Sequence, residues 1–119
     1  MDIEKRHLPA VTASTFDELI AFASVPVVVD FTAVWCPPCG PMTDALAQVV
    51  AEQGGRVAAA TVDVDAEPEL ARRFGVMSMP TLLVFVHGEL VDRLVGARGP
   101  RHLLEDLGRH LAATQPGII

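Results

Sequence analysis

Residues 25–31 read Val-Pro-Val-Val-Val-Asp-Phe, a nearly unbroken apolar run that carries one charge. A strand with one wet face alternates polar and apolar side chains, whereas a run of this kind belongs to a strand buried on both faces. The chain must therefore build a sheet with covering layers above and below it. The flanking segments supply those layers. After an extended start over His7–Val11, Ser14 is the expected cap of a helix with Asp17 and Glu18 in its first turn. Phe16, Leu19, Ile20 and Ala23 share one face of that helix. A second amphipathic helix is expected from Pro37 to about Gln53, marked by Met42, Leu46, Val49 and Val50 and ended by Gly54-Gly55.

Residues 56–64 read as a further strand. Residues 67–74 read as a short helix with Glu67 and Glu69 at its start, Arg72 and Arg73 near its end and Gly75 beyond it. An apolar strand over 81–86 turns at His87-Gly88 into 90–95 as an antiparallel hairpin. Gly99-Pro100 opens a last helix with Leu103, Leu104, Leu107 and Leu111 inward; His102 and His110 are read as surface residues and 114–119 as a frayed tail. The order β-α-β-α-β-α-β-β-α implies an α/β fold with one mixed five-stranded sheet flanked by about four helices. The 119 residues suit a single domain over 1–119, with its core at about 7–113.

A net charge of −6 argues against nucleic acid or an anionic membrane as a main partner, because both call for a basic surface. Apolar runs such as 81–86 are far too short to span a bilayer. Residues 1–6 are charged and lack the apolar stretch of a secretory signal, so a cytoplasmic location is expected, with the protein a monomer.

The chain has two cysteines, Cys36 and Cys39, placed where the apolar run meets the second helix. A disulfide between them closes a very small ring and removes little unfolded-state entropy, so it makes a poor structural cross-link. Positions three apart at a helix start hold their Cβ atoms about 5–6 Å apart, which lets a disulfide form and open with little backbone movement. Cys36 precedes a proline and is expected near the N-cap, facing the positive helix end that stabilises a thiolate; Cys39, inside the first turn, should be more buried. On that geometry Cys36 attacks a substrate disulfide and Cys39 resolves the mixed disulfide. Two other readings stand beside this one. The pair is a set of core thiols, or it ligates zinc with His7, His87, His102 or His110, none of which shows close spacing.

Trp35-Cys36-Pro37-Pro38-Cys39 after Val29-Asp30-Phe31, with Val64-Asp65, Met79-Pro80-Thr81, the His87-Gly88 turn and Val95-Gly96, resembles the thioredoxin family over about residues 7–113. The resemblance implies a thioredoxin-like fold and a protein-disulfide reductase whose redox-active centre is a Cys36–Cys39 disulfide. By itself Asp30 is either a costly buried carboxyl or an edge-strand residue facing water. The resemblance makes it the buried acid that serves Cys39 as general base, directly or through a water. X–Pro bonds are mostly trans, and it is the resemblance that implies a cis Pro80 packed on the dithiol. A bound peptide would then add as a short strand beside Met79, with Trp35, Pro37, Pro38, Gly96 and Ala97 completing a shallow groove. No glycine-rich nucleotide motif is present, so no bound cofactor is expected and a separate thioredoxin reductase recharges the protein for its disulfide-containing substrates.

The chain departs from the family pattern at several places. Pro37 replaces a glycine, Gly40 a lysine, Thr61 a buried lysine and Thr32 a tryptophan. Asp44 stands where a proline is usual, and Pro41, one turn earlier, is expected to bend or loosen the helix. Loss of an N–H at Pro37 and of positive charge at Gly40 and Thr61 should leave the Cys36 thiolate less stabilised, which makes a more reducing couple. The alternatives are an oxidase or isomerase of an oxidising compartment, and a binding module whose dithiol is incidental.

Overall fold

The structure, a computed structural model, describes residues 8–113. Its centre is β1 (Val27–Thr32), the apolar run itself, whose first five residues are buried. β2 (Ala58–Asp63) pairs parallel to it, with Val27 opposite Ala58 and Asp30 opposite Thr61. β3 (Thr81–Val86) pairs antiparallel on the other side, with Asp30 opposite Leu82, and β4 (Glu89–Val95) closes the edge in the order β2-β1-β3-β4. β4 carries Glu89, Asp92 and Arg93, charges that suit an edge strand because they discourage further pairing. The hairpin between β3 and β4 turns at His87 and Gly88, both with positive φ (53° and 81°).

Helices α1 (Ala13–Phe22), α2 (Cys39–Glu52), α3 (Pro68–Arg73) and α4 (Pro100–Ala113) cover both faces. On one face Met42, Leu46 and Val49 of α2 and Leu103, Leu107 and Leu111 of α4 pack on Val28, Ala59, Leu82 and Val84. On the other, Phe16 and Ile20 of α1 and Leu70 of α3 pack on Val27, Val29, Phe31, Leu83 and Phe85. Alternate residues of β1 thus feed two separate cores, as the unbroken apolar run requires.

The sheet has four strands, not five. Of the expected first strand, His7 lies outside the described residues and the rest makes a single bridge, Ala10 to Thr61. The Thr61 N–H donates to the Pro9 carbonyl at 2.8 Å and the Val11 N–H to the Thr61 carbonyl at 2.9 Å. Pro9 has no N–H to extend the ladder, and Thr12 already begins α1.

Thr12, rather than Ser14, is the N-cap of α1; its N–H donates to Thr15 Oγ1 at 3.0 Å, and the next N–H, of Ala13, donates to Glu67 Oε1 at 2.8 Å. A carboxylate from across the chain thus serves this helix end, and Asp17 and Glu18 fall beyond the first turn. Leu104 is 37% exposed and lies outside the core. His102 is exposed, but His110 is half-buried with Nε2 at 2.9 Å from Asp92 Oδ2. The tail at 114–119 lies outside the described residues.

Leu107→Ala is expected to lower the unfolding free energy by about 2–5 kcal/mol and Leu104→Ala by less than about 1 kcal/mol, as read from urea denaturation. Equal losses would return Leu104 to the core.

Candidate active site

β1 leads directly into the site. Past Thr32 the chain turns so that the Cys36 N–H donates to the Ala33 carbonyl at 3.2 Å and the Cys39 N–H to the Cys36 carbonyl at 3.1 Å. Cys36 and Cys39 are joined as a disulfide with Cα atoms 5.4 Å apart. α2 starts at Cys39 with Pro38 as N-cap, two residues later than expected at Pro37, so Cys36 sits in the turn ahead of the cap. Pro41 takes the third helical position, and the first intrahelical bond is that of the Met42 N–H to the Pro38 carbonyl at 3.2 Å. The N–H that Pro41 lacks is one that a helix start leaves unpaired anyway, so the proline removes no helical bond there.

The two sulfurs have different surroundings. Cys39 is 1% exposed and Cys36 8%. Cys36 helps line a cavity of about 530 Å³ with Thr32, Val34, Pro37, Gly40 and Asp63, whereas Cys39 does not. Both pack with Ala33, Val64 and Met79. The Cys36 sulfur lies 3.7 Å from the Met79 carbonyl oxygen, which a reduced Cys36 thiol would find as an acceptor. Few donors face a thiolate at this helix end. Pro37, Pro38 and Pro41 have no N–H and that of Cys39 is committed to the Cys36 carbonyl, which leaves Gly40 as the donor of the first turn.

The Met79–Pro80 bond is cis. Pro80 is buried; its carbonyl accepts the Gly96 N–H at 2.9 Å, and the Thr81 hydroxyl donates to the Ser78 carbonyl at 2.7 Å. Gly96 adopts φ 97°, a left-handed backbone that favours glycine. Met79 thus stands beside Cys36, and Pro80, which follows it, is tied to Gly96. Trp35 is 61% exposed and its indole Nε1–H donates to Asp65 Oδ2 at 2.7 Å, so it forms a rim and not a core. Pro37 and Pro38 are exposed on the turn itself. Ala97, next after Gly96, lines a second cavity of about 520 Å³ with Pro41, Met42 and Arg98.

Asp30 is fully buried, on the central strand and not at an edge. It points to the face covered by α2, the face of Val28 and Leu82. Burial pushes its carboxyl up to about 6, with the hydrogen bond from the Thr43 hydroxyl to Oδ2, 2.6 Å long, pulling the other way. Oδ1 is buried without a hydrogen-bond partner. Thr61 is its neighbour on β2, so the position where a buried lysine would stand holds a neutral group.

The sequence reading passed over Thr43 and named Asp65 only within the family resemblance, with no role. Thr43 had a signal: it follows Cys39 by four residues and so shares its helix face, between the buried Met42 and Leu46. Asp65 had none of its own, since the turn after β2 brings it to Trp35. Among the described residues no group of three or more His, Cys, Asp and Glu side chains converges to hold a metal ion.

The raised Asp30 carboxyl has a stability consequence with a definite sign. Its folded value of about 6 lies above the ordinary 3.8, so its protonated form favours folding below pH 4 and that contribution is lost as pH rises through 6. Asp30→Asn is therefore expected to be more stable than the parent at pH 7 by on the order of 2–3 kcal/mol, the gap closing below about pH 4. Urea titrations of the oxidised proteins at both pH values check this; a variant less stable at pH 7 contradicts it.

Comparison with known proteins agrees with this geometry. The thioredoxin family model matches residues 7–109. The chain is 41% identical over 106 residues to thioredoxin of Mycobacterium tuberculosis, covering 89% of this chain and 91% of that protein. It is 42% identical over 97 residues to a bifunctional thioredoxin reductase/thioredoxin of Mycobacterium leprae, covering 82% of this chain but 21% of that longer protein. Among solved structures, a mutant thioredoxin from Halobacterium salinarum superposes with a TM-score of 0.80 at 30% identity, covering 90% of this chain and 93% of that one. A dithiol at the strand-to-helix turn, in a chain that matches thioredoxins over nearly their whole length, has one reading: the chain belongs to the thioredoxin family and is a thiol–disulfide oxidoreductase that reduces protein disulfides by dithiol exchange.

Proposed function

We propose that Cys36 is the attacking thiolate, Cys39 the resolving thiol and Asp30 the general base for Cys39. The observation that carries this is the asymmetry of the pair: Cys36 faces a cavity and the Met79 carbonyl, while Cys39 is buried at the first position of α2. In the first half-reaction the Cys36 thiolate attacks a substrate disulfide, forming a mixed disulfide and releasing one substrate thiolate. In the second, Cys39 gives its proton to Asp30 and its sulfur bonds to Cys36. The Cys36–substrate bond breaks with its electron pair leaving on the substrate sulfur, which takes a proton from solvent. The substrate disulfide gains two electrons and the two cysteines lose two.

The substrate segment lies extended along Met79 and Pro80, flanked by Trp35, Pro37, Pro38 and Gly96, with Ala97 at the far end of the groove. A thioredoxin reductase returns the electrons; the bifunctional relative, whose name joins the two activities, supports that partner. The protein works as one domain with its core at about 7–113, as a monomer in the cytoplasm. Among the described residues no helix is long and apolar enough to cross a membrane.

Insulin reduction coupled to dithiothreitol tests the roles. Cys36→Ser is expected to abolish turnover and Cys39→Ser to accumulate mixed disulfides. Asp30→Asn should slow release of the second substrate thiol at pH 7 by roughly one to two orders of magnitude. If Cys36→Ser traps substrate and Cys39→Ser does not, nucleophile and resolver exchange places.

The couple is a reducing one, because the Cys36 thiolate has few donors and no cation in place of Gly40 or Thr61. Equilibration with glutathione should give a potential well below about −180 mV, the disulfide-isomerase range; a value in that range overturns the reading. A Cβ at Gly40 would meet nothing within 4 Å, so a lysine fits there. Gly40→Lys is expected to lower the Cys36 thiol pKa and make the couple less reducing, as read from thiolate absorbance and the same equilibration.

A further inference from the structure

Among the described residues, the Asp30 side chain is fully buried, has no ion-pair partner and makes one hydrogen bond. Its register neighbours on the same sheet face are Thr61 of β2 and Leu82 of β3, both without charge. From α2 it meets Thr43, which lies one helical turn beyond Cys39, and of these four residues Cys39 alone, once reduced, has an ionisable side chain. Two acids, Asp44 and Asp63, line the cavity beside Cys36 together with Thr43. Asp30 does not line that cavity, so Thr43 stands between the carboxyl and the space that Cys36 faces.

A hydroxyl donating at 2.6 Å to a carboxyl oxygen interacts more strongly with the ionised group than with the neutral one. It also holds the carboxyl's rotation. With Oδ2 occupied by Thr43, the buried and unpartnered Oδ1 is the oxygen left to accept a proton. We propose that Thr43 is a positioning residue of the resolving half-reaction: its hydroxyl fixes Oδ2, favours the carboxylate over the neutral acid and leaves Oδ1 to take the proton of Cys39. The step is the one written above, with the Cys39 proton going to Asp30 and the Cys36–substrate bond breaking as the Cys36–Cys39 bond forms. The inference rests on Asp30 being the base, and adds the group that makes it one although no cation stands beside it.

Thr43→Val keeps the shape and removes the donor; Thr43→Ser keeps the donor. In the oxidised protein, where neither cysteine titrates, the Asp30 carboxyl carbon is followed by NMR across pH. In the reduced protein, release of the second substrate thiol from a mixed disulfide is timed over the same range. Thr43→Val should raise the Asp30 midpoint by about 1 pH unit and move the acid limb of the release rate up by the same amount. Thr43→Ser should leave both where they are in the parent. A purely structural Thr43 would alter stability but neither pH dependence. A midpoint that stays put in Thr43→Val overturns the proposal at the contact itself. A midpoint that moves while the limb does not overturns it through the assignment of Asp30 as base.

Discussion

A carboxyl group is held out of water in the middle of the central strand, and much of the molecule is arranged around that fact. β1 is covered on both faces, so its first five side chains are buried, and Asp30 shares the face packed by α2 with Val28 and Leu82. The apolar packing that stabilises this face is what raises the carboxyl to about 6. On an exposed edge strand the same residue would ionise near its ordinary value and be a weak base at neutral pH. Burial costs the fold some stability and places the proton affinity of the group close to working pH, a combination that marks functional sites more often than structural ones.

The second constraint is the poverty of donors at the start of α2. A helix N-terminus normally offers several N–H groups to an anion, and here three prolines and one internal hydrogen bond leave Gly40. The mixed neutral and acidic lining of the adjoining cavity, with Asp44 and Asp63 and no cation, works in the same direction. Cys36 and Asp30 therefore depend on different supports: the thiolate on a thinned helix end and the carboxylate on a single hydroxyl. Both supports are local, and each lies within a turn of the cysteine it serves.

Much of this could be read along the chain because it depends on neighbours in sequence. The apolar run marked β1, the Cys36–Cys39 spacing marked the turn, and the His87-Gly88 pair marked the hairpin. What escaped depends on contacts made across the fold. The N-cap of α1 shifted to Thr12 as the Glu67 carboxylate approached the Ala13 N–H, and no periodicity in 12–22 reports that. Leu104 follows the leucine spacing but turns out of a stripe already filled by Leu103 and Leu107. His110 meets Asp92 only because α4 lies by the edge strand. The expected first strand fails on chemistry that stands in the sequence, Pro9 without an N–H and Thr12 as a cap. Pro41 was misjudged by two residues of helix boundary: started at Pro37 the helix would lose a bond there, started at Cys39 it loses none. The cis bond before Pro80 came from family resemblance, since isolated X–Pro chemistry favours trans.

The same boundary separates what must stay fixed during turnover from what must open. Cys39 belongs to α2, and α2 is anchored by Met42, Leu46 and Val49 in the core that also holds Asp30's strand. Cys36 belongs to a turn held by two backbone bonds, to Ala33 and from Cys39, with exposed prolines between the sulfurs. On the proposed roles, anchoring on one side only places the resolving thiol, its base and Thr43 on packed elements. The sulfur proposed to attack lines the cavity instead, where it would bond alternately to substrate and to Cys39. A three-residue spacing across a helix start achieves this because the boundary falls between the two cysteines: a pair wholly inside the helix would be equally rigid, and a pair wholly in the loop would leave the base with no fixed proton to take.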